Sequence, residues 1–129
     1  YPLTLTTGAR RFTSFHSENR QIETLREIHP WPTVELHPET ARRLGITEGA
    51  RVYVENHLGR AKLAAHLTPI VKEGVVSCDH GWWLPESDPE NLFDVFEVNV
   101  NQLVPHEENG PLGFGTHFKS MPCKVYRAE

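Results

Sequence analysis

Cysteine is scarce in this 129-residue chain, which holds only Cys78 and Cys123. Two thiols cannot build a disulfide-rich scaffold, and a distant pair cannot supply the four ligands of an iron–sulfur cluster. Long apolar runs are also missing: no stretch reaches the roughly 18 consecutive apolar residues that a membrane-spanning helix needs. The compartment stays open between cytoplasm and periplasm. An initiating methionine is absent, and Tyr1 leads straight into a strand-like run. That start reads as a piece of something larger or as a processed N-terminus. Lys and Arg are missing from Glu86 to Glu108, where seven acids stand (Glu86, Asp88, Glu90, Asp94, Glu97, Glu107 and Glu108). Such a block reads as a solvated face or as a contact with another domain or subunit. With 13 Lys+Arg against 17 Asp+Glu and a formal charge of −4, general nucleic-acid binding is disfavoured, because it needs a wide basic face.

What is present fits one ordinary globular domain. The composition is 38% hydrophobic and 23% charged, and ten prolines and nine glycines punctuate it, which favours short strands over long helices. Leu3 to Thr7 alternates and stops at Gly8, a strand ending in a turn. Glu18 to Ile28 reads as helical, with Ile22, Leu25 and Ile28 on one face, until His29-Pro30-Trp31-Pro32 stops it. Thr33 to His37 reads as a strand, and Pro38 to Leu44 as a short helix closed by Gly45. Ala50 to Asn56 and Arg60 to Leu67 alternate about a His57-Leu58-Gly59 turn, which makes a hairpin. Val75 to Cys78 and Pro122 to Tyr126 complete a set of six or seven short strands with one or two short helices. No βαβ rhythm is present, so the pattern suits a small closed β-barrel, in which closure removes the strand edges.

Charge and chemistry gather at the basic ends. Thr6-Thr7-Gly8-Ala9-Arg10-Arg11 places hydroxyls, a glycine and two guanidinium groups at a strand end, which suits a phosphate or nucleotide and equally a plain turn. His80-Gly81-Trp82-Trp83 suits the approach of a flat ligand, or else a core anchor. Asn101, set among Val98, Val100 and Leu103, reads as a buried amide that ties a turn or reads a heterocycle edge. No two of the eight histidines fall at i,i+2 to i,i+4, which argues against zinc. No Gly-x-Ser-x-Gly elbow supports a hydrolase.

Taken in order, these motifs resemble a known family. Leu5-Thr6-Thr7-Gly8-Ala9-Arg10, His16-Ser17-Glu18-Asn19-Arg20, His37-Pro38-Glu39-Thr40-Ala41, Leu44 to Gly49, Gly74-Val75-Val76, His80-Gly81-Trp82-Trp83, Asn101-Gln102-Leu103 and Cys123-Lys124-Val125 are similar to the C-terminal domain of dimethyl-sulfoxide-reductase-type molybdopterin oxidoreductases. The resemblance covers essentially the whole chain, residues 1–129, as a single domain. It implies a mainly β fold, a double-psi β-barrel, that binds molybdopterin guanine dinucleotide, the ligand of molybdenum or tungsten. It implies that Thr6, Thr7, Gly8, Arg10 and Arg11 hold the phosphate and guanosine region, with His16, Ser17 and Arg20 continuing that wall. His80, Gly81 and Trp82 would line the pterin side, with Asn101 on a pterin edge and Lys119 closing the far end. The metal's protein ligand, any iron–sulfur cluster and a possible electron-transfer subunit would lie outside this chain, which alone is expected to be inactive. The chain departs from the family where Val104-Pro105-His106-Glu107-Glu108-Asn109-Gly110 replaces a Thr and an Asp-Pro turn, and the stretch from Glu86 to Asp94 reads as a variable insertion. The competing reading is a stand-alone barrel that acts as an adaptor or as a nucleotide-recognition domain.

Overall fold

A computed structural model describes residues 1–107 and 118–129. The glycine-rich stretch from Gly110 to Gly115, together with Glu108 and His117, lies outside the described residues. Six strands, β1 (Leu3–Thr7), β2 (Thr33–Leu36), β3 (Arg51–Asn56), β4 (Gly59–Leu67), β5 (Val75–Cys78) and β6 (Lys119–Arg127), close into a barrel in the order β1-β5-β2-β4-β3-β6. Three short helices, α1 (Glu23–Ile28), α2 (Pro38–Leu44) and α3 (Val95–Val98), sit in the connections. The pairs β1·β5 and β2·β4 are parallel and the other pairs antiparallel. Exchanging β1 with β4, β2 with β5 and β3 with β6 maps this pairing pattern onto itself, which is the internal two-fold of a double-psi barrel. The expected fold class is the one observed.

Period-two alternation builds the core. Leu3 and Leu5 of β1, Val34 and Leu36 of β2, Val52 and Val54 of β3, Ala61, Leu63 and Ala65 of β4, and Val76 and Cys78 of β5 are all buried. Met121, Cys123 and Val125 complete the interior from β6, so each strand puts one face inside, as alternation requires. Every strand has two neighbours, and all six contribute to the interior. A smaller cluster, Trp82, Leu84 and Val98 with Trp31 against it, lies outside the barrel.

Helix α2 follows its sequence signals. His37 Nδ1 accepts from the Glu39 N–H at 3.2 Å, Pro38 stands at the first turn, and Gly45 closes the helix at φ +66. The anticipated helix over 18–28 is shorter: α1 begins at Glu23, buries no residue, and leaves Ile28 70% exposed. The last strand starts earlier than expected, at Lys119, because β6 runs on to pair Lys119 with Thr6. The acidic stretch is partly tied to the body. Arg26 grips Glu86 with two bonds of 2.7 and 2.9 Å, and Glu97 meets Lys62 at 3.6 Å.

Candidate functional site

Four strand ends converge at one end of the barrel, and topology is the cause. Because β1 and β5 are parallel, with Thr7 opposite Cys78, the turns that follow them, Gly8–Arg11 and Asp79–Gly81, leave side by side. Because β6 is antiparallel to β1 and β2 is antiparallel to β5, Lys119 and Thr33 begin their strands at that same end. Two adjoining hollows open there. One of about 70 Å³ involves Arg10, Ser14 and Phe15, and an open one of about 390 Å³ involves Thr7, Gly8, Asn101, Phe118 and Lys119; His16 and His80 line both.

Beneath this rim lies a buried acid that sequence reading passed over. Asp79 is 2% exposed and accepts from Arg11 Nε at 2.6 Å, from the Thr33 N–H at 2.7 Å and from the Thr33 hydroxyl at 2.9 Å. His29 Nε2 lies 2.9 Å from Oδ2, the oxygen that Thr33 also uses, while Arg11 takes Oδ1. Burial by itself would raise its pKa, but His29, Arg11 and the Thr33 N–H outweigh burial and hold it down at about 2. The available signal was an acid directly after the apolar run Val75 to Cys78, where only a paired carboxylate can sit.

Arg11 is therefore placed differently from its neighbour. Its guanidinium spans Asp79 and Glu35, the latter at 3.0 Å, so it anchors the turn and does not extend from it. Arg10 is exposed and, among the described residues, has no carboxylate partner. Lys119 reaches back to donate to the Thr7 carbonyl, and its Nζ lies 3.2 Å from where a Gly8 Cβ would be. Gly8 takes φ +86, a conformation that glycine tolerates best. Thr7 is buried and gives both its N–H and its hydroxyl to the Phe118 carbonyl, at 3.0 and 3.2 Å. Thr6 lies on the outer face of β1 and lines neither hollow.

Arg20 and Trp82 act from behind the rim. Arg20 is 3% exposed, donates to the carbonyls of His16 and His80 at 2.8 and 3.2 Å, and stacks on the Trp82 ring at 4.0 Å. Burial, only partly offset by Asp79, lowers its pKa to about 10. Trp82 is 1% exposed, so it supports Arg20. The close approach that Gly81 permits is to protein. A Cβ there would lie 3.2 to 3.3 Å from the backbone of His16 and Ser17. Ser17 is exposed and uses its carbonyl to accept from the Trp83 indole at 2.7 Å. Asn101, expected to be buried, is exposed on the larger hollow. Asn99 ties the turn instead, its Oδ1 accepting from the N–H groups of Gly81 and Asn101 at 3.2 and 3.0 Å.

The rim thus presents Arg10 and Lys119 as cations, with the polar ring edges of His16 and His80 and the amide of Asn101 beside them. That donor set fits an elongated anionic ligand carrying a planar ring system. Among the described residues no three His, Cys, Asp or Glu side chains converge as metal ligands, and no helix is long and apolar enough to cross a membrane.

Comparison with known proteins agrees with this geometry. A family model described as "Molydopterin dinucleotide binding domain" matches residues 3–122. "Dopamine dehydroxylase" of Eggerthella lenta is 39% identical over 128 residues, 99% of this chain and 12% of that protein. "Acetylene hydratase" of Syntrophotalea acetylenica is 39% identical over 106 residues, 81% of this chain and 14% of that protein. The solved structure of acetylene hydratase from Pelobacter acetylenicus superposes with a TM-score of 0.87 at 30% identity, covering 99% of this chain and 18% of that one. The chain therefore spans about one-eighth of the length of the first of these relatives.

Proposed function

The chain belongs to the molybdopterin dinucleotide binding domain family of the dimethyl-sulfoxide-reductase-type molybdoenzymes, and from that premise we propose that it holds the guanine form of the cofactor as the C-terminal domain of a larger molybdenum or tungsten oxidoreductase. The observation that carries this reading is the pair of hollows that share the His16–His80 wall, with a cation lining each, Arg10 and Lys119. When bound, the pterin dinucleotide supplies the metal-centred redox chemistry. The chain's own part is to bind and orient it. Arg10 and the open turn at Gly8 serve the phosphates, and Lys119 closes the larger hollow. Asn101 reads a ring edge through the donors and acceptors it presents, and His16 and His80 form the wall that the two hollows share. Thr7, Arg11, Arg20, Gly81 and Trp82 hold those groups in place, and Ser17 fixes the turn that carries His16. Thr6 contributes through the register of β1. The remaining domains of the parent enzyme, and an electron-transfer subunit, complete the active site.

The test uses the full-length parent protein. Acid release of its bound cofactor followed by nucleotide analysis is expected to yield GMP, and metal analysis to yield molybdenum or tungsten. Release of CMP would overturn the guanine assignment, and a cofactor-free, metal-free active enzyme would overturn the reading as a whole.

A further inference from the structure

Two imidazoles meet where the two hollows meet. His16 Nδ1 lies 3.1 Å from His80 Nε2. A contact this short between ring nitrogens needs one proton in it, because two bare or two protonated nitrogens repel. The placement is enforced. His16 adopts a left-handed backbone at φ +51, the Arg20 guanidinium holds the carbonyls of both histidines, and the His16 backbone lies against Gly81 without room for a Cβ.

The bridge fixes what the outward nitrogens, His16 Nε2 and His80 Nδ1, can present. With both rings neutral, one outward nitrogen carries a hydrogen and the other a lone pair. One further proton makes both outward nitrogens donors and gives the pair a single positive charge with the bridge intact, while a second would break the bridge. An uncharged edge with one donor and one acceptor suits the neutral pair. An anion that offers two oxygens suits only the charged pair.

The groups around the pair set its resting state. Arg20 stands behind it, Lys119 faces it across the larger hollow, Arg10 and Arg11 line the smaller one, and Asp79 is the acid that faces it. Burial, His16 and Arg20 hold His80 below the ordinary imidazole range against the pull of Asp79. The cations around the pair oppose a further proton on it, and an arriving anion shifts that balance. A ligand that occupies both hollows must cross the shared histidine wall with its middle, and the middle of a dinucleotide is its pyrophosphate.

We infer that the His16–His80 pair is a proton-loaded anion clamp: the pyrophosphate binds at the junction of the hollows, and its binding draws one proton from solvent onto the pair. The inference rests on reading the hollows as a dinucleotide site. The probe is diguanosine diphosphate, in which each phosphorus carries one ester and one anhydride bond and keeps a single strongly acidic oxygen, so that the phosphates do not titrate near neutrality. Binding to the 129-residue chain is measured by calorimetry from pH 6.5 to 8.5 in two buffers of different ionisation enthalpy. Inorganic pyrophosphate serves as a second probe. The expected results are an uptake approaching one proton per ligand and, at the upper end of the range, a Kd that rises about tenfold per pH unit. In the double variant His16→Gln/His80→Gln, which keeps hydrogen-bonding side chains but no imidazole to protonate, the Kd should change less than twofold across the same range. Tight binding that ignores pH in the native chain, or a slope that survives in the double variant, overturns the clamp and leaves the cofactor reading standing. A slope with pyrophosphate that is lost in the double variant, with no binding of the guanosine probe, supports the clamp and overturns the guanine assignment. Binding of neither probe, with unshifted ring-nitrogen resonances of His16 and His80, overturns both.

Discussion

Replacing Asp79 by Asn tests whether a buried carboxylate organises the rim. The native carboxylate is 2% exposed and serves Arg11, Thr33 and His29 with only two oxygens. An amide of the same shape must turn its NH2 either toward Arg11 or toward the Thr33 N–H, and both are donors. The charge itself can be valued from its titration. Its pKa moves from an ordinary 3.8 to about 2 in the folded chain, and each unit corresponds to about 1.4 kcal/mol, so ionised Asp79 contributes about 2 kcal/mol. The folded pKa is depressed, so this stability is fully present above the unfolded pKa and is lost as the pH falls toward the folded one. Urea unfolding at pH 7 is expected to show Asp79→Asn less stable by at least about 2 kcal/mol, since a partly buried Arg11 also loses its closest partner. At pH 3 the gap should narrow by about 1 kcal/mol, because part of the wild-type carboxylate's advantage has gone by then. A gap that stays constant between pH 7 and pH 3 would refute the assignment of an ionised, paired carboxylate at this position.

Other substitutions separate support from contact. Gly81→Ala should cost at least about 2 kcal/mol in thermal unfolding, because it combines a left-handed φ of +66 with contacts of 3.2 to 3.3 Å to fixed backbone, whereas Gly74→Ala, at φ +77 with open space, should cost about 1 kcal/mol. Equal costs would show that the packing of Gly81 against His16 is unimportant. Arg20→Lys keeps the charge but cannot span two carbonyls and the Trp82 face, so hydrogen exchange should quicken at the amides of the turn after β1 and leave those of β3 and β4 unchanged. Titration of the isotopically labelled chain with a guanine nucleotide should move the amides of Gly8, Arg10 and Ser17 before those of residues 86–107, and shifts confined to the acidic stretch would count against the site.

The barrel was legible because its signals are local. Alternation in β3 and β4, the Pro38 start and Gly45 end of α2, and the stop of β1 at Gly8 each follow from short-range sterics and from burial of every second residue. Helix α1 was overextended because spacing alone placed Ile22, Leu25 and Ile28 on one face, while the fold offers that face nothing to pack against and Ile28 stays 70% exposed. The composition of the site was legible and its layering was not. Arg10 and Arg11 are adjacent and chemically identical in sequence, yet one reaches outward and the other is bound to Asp79 and Glu35, 68 and 24 residues away. The turn-tying role expected as one alternative for Asn101 falls to Asn99 for a similar reason: which of two amides ties a turn depends on where Gly81 comes to lie, a tertiary fact.

That layering explains how a chain of net charge −4 can carry an anion site. A buried Asp79 uses one positive charge, Arg11, for internal cohesion, and so removes it from the field that a ligand meets. Arg20 keeps its charge but is buried under carbonyls and an indole, where it orients the two histidines and raises the cost of protonating His80. The attraction felt from solvent then comes from Arg10 and Lys119, with the histidine pair as a third cation that forms only when an anion is there to share it. A site with five permanent cations would hold any polyphosphate, whereas one with two permanent charges and one conditional charge favours a ligand whose pyrophosphate and rings arrive together. On this view the acid beneath the rim is part of how the site selects its ligand, because without Asp79 the Arg11 charge would return to the surface and the selectivity for a dinucleotide over simple pyrophosphate would fall.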